Sequence, residues 1–152
     1  WLFGSSKNKG DKQDGVSKTY HENGQLNIEV EFKNGKLDGL WKKYYENGQL
    51  ESEGIYKGRN RIGFWSYYYE NGQLEREGNN DKHGNREGLW KKYYENGQLK
   101  SEENYVYGGT LDGLSKTYHE NGQLEFEGNY IFGSTEWYKF YDENGQLVEE
   151  ND

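Results

Sequence analysis

The chain has 152 residues, of which 30% are hydrophobic and 17% aromatic, with 22 Gly and no Pro, Cys or Met. It also lacks Ala; without the best helix former, and rich in one of the worst, it is expected to form strands, which Tyr and Trp favour. The formal net charge of −8 disfavours nucleic acid and anionic membranes as general partners, and the absence of Cys removes disulfides and thiolate metal sites.

Residues 1–13, Trp1 to Gln13, carry no repeat signature. They read as a separate non-repeat segment or edge cap: Trp1, Leu2 and Phe3 fit a degenerate strand from a missing unit, or an unrelated remnant. The chain does not start with Met, so it is expected to be processed, trimmed or partial, and a targeting segment would not be visible in it.

From residue 14 to residue 152 one pattern takes over. Glu-Asn-Gly-Gln-Leu recurs from Glu22, Glu46, Glu70, Glu95, Glu120 and Glu143, at spacings of 24, 24, 25, 25 and 23 residues. So regular a period marks six units that stack on their neighbours rather than enclosing one core. Low aliphatic content with a high net charge can signal disorder, but the aromatic content and strict periodicity argue for an ordered array.

Within each unit, Asn-Gly separates two strand-forming runs, as in Leu40-Trp41-Lys42-Lys43-Tyr44-Tyr45 and Leu50-Glu51-Ser52-Glu53-Gly54-Ile55. That is a strong hairpin signal, and a two-residue type I′ turn is the favoured reading. It pairs Lys18 with Glu29, Lys42 with Glu53, Lys91 with Glu102, Lys116 with Glu127 and Lys139 with Glu150; only Ser66–Glu77 breaks the charge pattern. The same register sets Trp41 over Gly54 and Trp65 over Gly78, an aromatic covering a gap. It also places the recurring Tyr column (Tyr20, Tyr44, Tyr68, Tyr93, Tyr118, Tyr141) and Leu column (Leu26, Leu50, Leu74, Leu99, Leu124, Leu147) on opposite faces. A three-residue loop with a Gly bulge would instead put them on one face.

Between units, Lys33-Asn34-Gly35-Lys36 is a second Asn-Gly hairpin, and Gly58, Gly84, Gly108-Gly109 and Gly133 fall at comparable points. The expected fold is therefore all-β: an elongated single-layer antiparallel meander of six tandem hairpins. About eleven or twelve strands would extend roughly 55 Å. In the last unit, Glu136-Trp137-Tyr138-Lys139-Phe140-Tyr141 replaces the usual Gly-Leu-Trp start, as a terminal cap does.

Residues for chemistry are sparse. His21 and His119 occupy the column of Tyr45, Tyr69 and Tyr94, and His83 falls in the longest inter-unit loop. No nucleophile motif, phosphate-binding glycine motif or metal-spaced His pair is present, so neither catalytic nor metal-ligating residues are assigned, and no cofactor is expected. The recurring Glu face Lys across the ladder rather than forming one carboxylate pair in a pocket. Asn79–Gly84 resembles a calcium loop only faintly, with His83 where a ligand should stand.

Gly-Leu-Trp-Lys-Lys-Tyr-Tyr-Glu-Asn-Gly-Gln-Leu followed by Glu-Gly-Ile-Tyr-Lys resembles the MORN (membrane occupation and recognition nexus) repeat, specifically its bacterial variant, over residues 14–150. The resemblance implies hairpins laid side by side in a twisted sheet. It suggests the antitoxin label often attached to bacterial members and the scaffolding role of eukaryotic ones, while the acidic charge departs from lipid binding. A second, lesser likeness is to the choline- and glucan-binding aromatic hairpins of bacterial surface proteins, whose period is shorter.

The expected function is a non-enzymatic scaffold that binds a macromolecule, a protein in the first place, through an aromatic face. The alternative is a module for carbohydrate or another surface ligand. The residues singled out for the partner are Trp41, Tyr45, Trp65, Tyr69, Trp90 and Tyr94 in units two to four, because Ser17 and Ser115 replace Trp in units one and five. Self-association through the terminal strand edges is a further expectation.

Overall fold

Short runs rich in Tyr, Trp and Phe alternate with Asn-Gly and other Gly turn signals, the pattern of strands joined by tight turns. The computed structural model describes residues 13–151; residues 1–12, including Trp1, Leu2 and Phe3, and residue 152 lie outside that range. Thirteen strands form one open antiparallel sheet. They are β1 (Gly15–Tyr20), β2 (Leu26–Lys33), β3 (Lys36–Tyr44), β4 (Leu50–Lys57), β5 (Asn60–Tyr68), β6 (Leu74–Asn80), β7 (Arg86–Tyr93), β8 (Leu99–Val106), β9 (Thr110–Leu111), β10 (Gly113–Tyr118), β11 (Leu124–Ile131), β12 (Ser134–Tyr141) and β13 (Leu147–Asn151). Each strand pairs with the next in sequence, except that β9 and β10 both pair β8, being two parts of one rung broken at Asp112. The single-layer meander expected from the periodicity is the observed fold.

The turn geometry corrects the type I′ reading. Tyr45 N–H donates to Gln49 O at 2.8 Å and Gly48 N–H to Tyr45 O at 3.0 Å, which closes a three-residue loop over Glu46, Asn47 and Gly48. Gly48 has φ +85°, the left-handed conformation such a loop requires at its third residue. All six Glu-Asn-Gly-Gln turns close in the same way. The odd loop shifts the register by one, so Tyr44 faces Leu50 directly; a bulge at Glu51 then restores it, and Lys43 faces Ser52, Lys42 faces Glu53 and Trp41 faces Gly54. The Tyr and Leu columns accordingly share a face. A type I′ turn does occur between units, where Asn34 (φ 52°) and Gly35 (φ 75°) link Lys33 to Lys36.

Alternation along the strands separates two faces, here the indole face and the ladder face. The ladder face carries the Tyr and Leu columns, the Lys–Glu rows, and an outer row in which Val16, Leu40, Phe64, Leu89 and Leu114 are exposed. Three of the five expected ion pairs form: Lys18–Glu29 at 3.1 Å, Lys91–Glu102 at 3.8 Å and Lys139–Glu150 at 3.9 Å. Lys42 and Lys116 stand opposite Glu53 and Glu127 as expected, but those carboxylates accept tyrosine hydroxyls from the neighbouring unit instead, Tyr68 at 3.4 Å and Tyr141 at 2.8 Å. Tyr93 and Tyr118 reach Glu77 and Glu102 in the same way, at 3.3 and 3.2 Å. The Glu column therefore joins units as well as strands within a hairpin.

The buried hydrophobic residues among those described are Val30, Trp65 and Trp90. All three belong to the indole face, so packing is concentrated on one side of a sheet that has no second layer among the described residues.

Candidate functional site

The indole face of β3–β8 is the most elaborated surface of the sheet. Trp65 is fully buried there and Trp90 is 3% exposed. Each indole lies on a glycine of the preceding strand: a side chain at Gly54 would collide with Trp65, and one at Gly78 with Trp90. This corrects the expected match of Trp41 with Gly54 and of Trp65 with Gly78. Those residues do pair within their hairpins, but each indole leans the other way, onto the neighbouring unit. Trp41 stands opposite Val30 instead of a glycine, cannot sink, and remains half-buried.

The rings form a connected series. Tyr56 meets Trp41 edge-on at 5.2 Å between centroids and Trp65 at 5.3 Å, and Trp65 stacks on Tyr67 at 6.0 Å. Arginines close over them: Arg61 is 5.0 Å from the Trp65 centroid, Arg76 is 4.2 Å from Tyr67, and Arg86 is 4.7 Å from Trp90 and 5.3 Å from Tyr105. Hydrogen bonds hold them there, from Arg61 Nε to Tyr56 Oη at 2.8 Å and from Arg86 to Tyr105 Oη at 2.9 Å. Indole N–H groups are satisfied by the backbone, Trp65 by Ile55 O at 3.3 Å and Trp90 by Asn79 O at 2.7 Å. The sheet thus lids its own tryptophans with guanidinium groups.

Tyr45, Tyr69 and Tyr94 lie at the turn end of the same face. Their hydroxyls donate to main-chain carbonyls of the following unit, Tyr68 O at 2.7 Å, Tyr93 O at 2.8 Å and Tyr118 O at 2.6 Å. His21 and His119 make the same link through Nε2, to Tyr44 O at 2.8 Å and Tyr141 O at 2.9 Å. Desolvation by burial, reinforced by nearby carboxylates, raises the Tyr45, Tyr69 and Tyr94 phenols above the ordinary tyrosine range. Asn47 extends the linkage, accepting Gln49 N–H at 2.9 Å and donating to Glu70 O at 2.9 Å. Gln49 Oε1 reaches the next turn, 3.2 Å from where a Cβ on Gly72 would be. Every residue of Asn-Gly-Gln thus has a reason to recur.

Of the six residues expected to meet a partner, Trp41 alone offers a half-exposed indole. Trp65 and Trp90 fill the interior, and Tyr45, Tyr69 and Tyr94 offer ring faces while their hydroxyls serve the array. The additional surface groups are Tyr56 and Tyr105, which share one position of the repeat, and Tyr67, Arg61, Arg76 and Arg86, which fall outside the recurring columns. One signal for them was visible in the sequence: all four Arg, at positions 59, 61, 76 and 86, fall in a single stretch. Two shallow depressions flank this surface. One of about 390 Å³ includes His21, Lys43, Tyr45 and Glu70, and one of about 380 Å³ includes Asp81, Arg86, Tyr105 and Tyr107. The Asp81 loop is closed on itself, its carboxylate accepting the N–H groups of His83 and Asn85 at 2.8 and 3.0 Å.

The family model for the MORN repeat variant matches residues 13–34, 37–57, 63–79, 86–107, 111–131 and 138–151. A search of curated proteins returns no match to the chain.

Proposed function

Since the chain belongs to the MORN repeat variant family, we propose that it is a non-enzymatic binding module whose partner is a protein, held on the indole face of β3–β8. The supporting observation is composition in place. Trp, Tyr and Arg, the residues that dominate binding energy at protein interfaces, are gathered there on one rigid surface. The antitoxin role suggested by the likeness to the bacterial variant is one form such binding would take, with a toxin as the partner. Carbohydrate binding ranks second. Sugar rings need open indole faces to stack on, and Trp65 and Trp90 have theirs against glycine on one side and arginine on the other.

The test is affinity capture with the whole chain, comparing Trp41→Ser and Tyr67→Ser with Leu40→Ser and Phe64→Ser on the ladder face. Loss of a defined protein with the first pair alone is expected. Capture that survives the first pair and fails with the second would overturn the assignment. Rescue of growth on co-expression with a toxin would add the antitoxin role. A change in Trp emission on titrating glycans, with no protein captured, would favour the alternative.

A further inference from the structure

The chain is acidic as a whole, yet the indole face of β3–β8 is not. Alternation and bulge contacts place Lys43, Arg61, Arg76, Arg86, Lys92 and Lys100 on it, against only Glu51, Glu75 and Glu103. Pairing does not cancel the excess. Lys43 takes Glu51 at 2.8 Å, Arg76 approaches Glu75 at 3.7 Å, and Arg86 and Lys92 share the single carboxylate of Glu103 at 3.7 and 3.4 Å. Arg61 and Lys100 have no ion-pair partner among the described residues and both are exposed. Along one rim of this face the exposed turn residues Glu46, Glu70 and Glu95 form a row of opposite sign.

We infer that the occupant of the indole face is an acidic segment of a protein, its carboxylates set on Arg61 and Arg86 at one end of the strands and drawn by the field of Lys100 at the other, while its apolar atoms lie on the tyrosine rings. This rests on the proposed protein-binding reading and adds the chemistry of the partner. Charge complementarity selects an acidic ligand, and the acidic rim selects a narrow one. A duplex or a bilayer broad enough to cover the face would overlie Glu46, Glu70 and Glu95 and be repelled, whereas a single extended chain can run beside them. From β3 to β8 the face is about 24 Å across, a length that roughly seven or eight extended residues cover.

Fluorescence anisotropy of the whole chain tests this directly. The probes are a fluorescein-labelled peptide alternating Glu with Gly and Tyr, its Gln counterpart, a labelled single-stranded oligonucleotide, and phosphatidylserine–phosphatidylcholine vesicles followed by co-sedimentation. The Glu peptide is expected to bind in a salt-sensitive way and the Gln peptide not at all. Arg61→Gln with Arg86→Gln should weaken binding about tenfold, with Lys42→Gln and Lys91→Gln on the ladder face without effect. Because the two arginines also lid tryptophans, exposed Lys100→Gln gives a second reading that leaves the lids in place, and it too should weaken binding. No response to the Glu peptide, an equal response to the Gln peptide, loss in the ladder-face variants, or tighter binding of oligonucleotide or vesicles would each overturn the inference. A protein captured through Trp41 and Tyr67 that holds equally at high salt would overturn it too, while leaving the protein-binding reading intact.

Discussion

Two bands run along this sheet and are built on different terms. The turn band repeats its three-residue loop in all six units, and in the first five it adds a main-chain link to the next unit from Tyr or His and an Asn–Gln linkage beside it. The indole band changes from unit to unit. Trp65 and Trp90 sink onto glycine, Trp41 rests opposite valine, and in unit five the same column holds Ser115, buried with its hydroxyl lacking a partner among the described residues. The backbone is continuous through all of them. The comparison shows that the turn band carries what the units have in common, while the indole band supplies packing that differs from one unit to the next.

Breaking the indole band should give the largest effects. Trp65→Ala is expected to destabilise the protein by about 3–5 kcal/mol, with Trp41→Ala costing clearly less because its indole is already half in water. Denaturant unfolding of the two variants side by side checks the difference, and equal losses would erase the distinction between glycine-seated and valine-seated indoles. Gly78→Ala is next. Its new methyl meets the Trp90 ring, and a loss of about 1–3 kcal/mol is expected although one carbon is added and none removed.

Lesions in the turn band should be smaller and alike wherever they fall. Tyr69→Phe removes one hydroxyl and leaves Tyr93 O without that donor, so about 1 kcal/mol should be lost, and Tyr45→Phe should match it. The same phenols make the array sensitive to alkali. Their folded-state values are raised, so their contribution is complete below the unfolded tyrosine value of about 10 and disappears as pH rises through the higher folded value. Thermal unfolding followed against pH, with tyrosinate absorbance, should show stability falling from about pH 10 upward. At the small end, Ser115→Ala should be neutral or stabilise by about 1 kcal/mol, since it removes a buried hydroxyl that has no partner. A loss there would mean that the fifth unit relies on a bond through Ser115 Oγ.

Much of the architecture was legible in the sequence because the repeat states it six times. Alternating strands, Gly and Asn at the turns and Lys facing Glu all pointed to one meander, and away from the turns the pairing Lys42–Glu53 was read correctly. The turn itself was not legible, for a definite reason. The odd loop and the bulge at Glu51 shift the register in opposite senses, so a simple two-residue turn predicts the same pairing beyond them. The seating of Trp65 on Gly54 was hidden because sequence proximity identifies a hairpin partner, not the side toward which a ring leans. Arg61, Arg76 and Arg86 were hidden because they stand outside the recurring columns, where a search for repetition does not look, and because a net charge says nothing of how charge divides between two faces.

Asp142 stands where the other units place Tyr or His. Its carboxylate accepts the N–H groups of Asn144 and Gln146, both at 2.9 Å, and it has no hydrogen to donate outward. The stitching between modules is therefore vectorial, each giving a proton donor forward, and this module is written to receive without giving. A duplicated copy inserted anywhere upstream would inherit a partner on both sides. One grafted directly behind Asp142 would lack that side-chain link to its predecessor, because the carboxylate is already committed to its own turn.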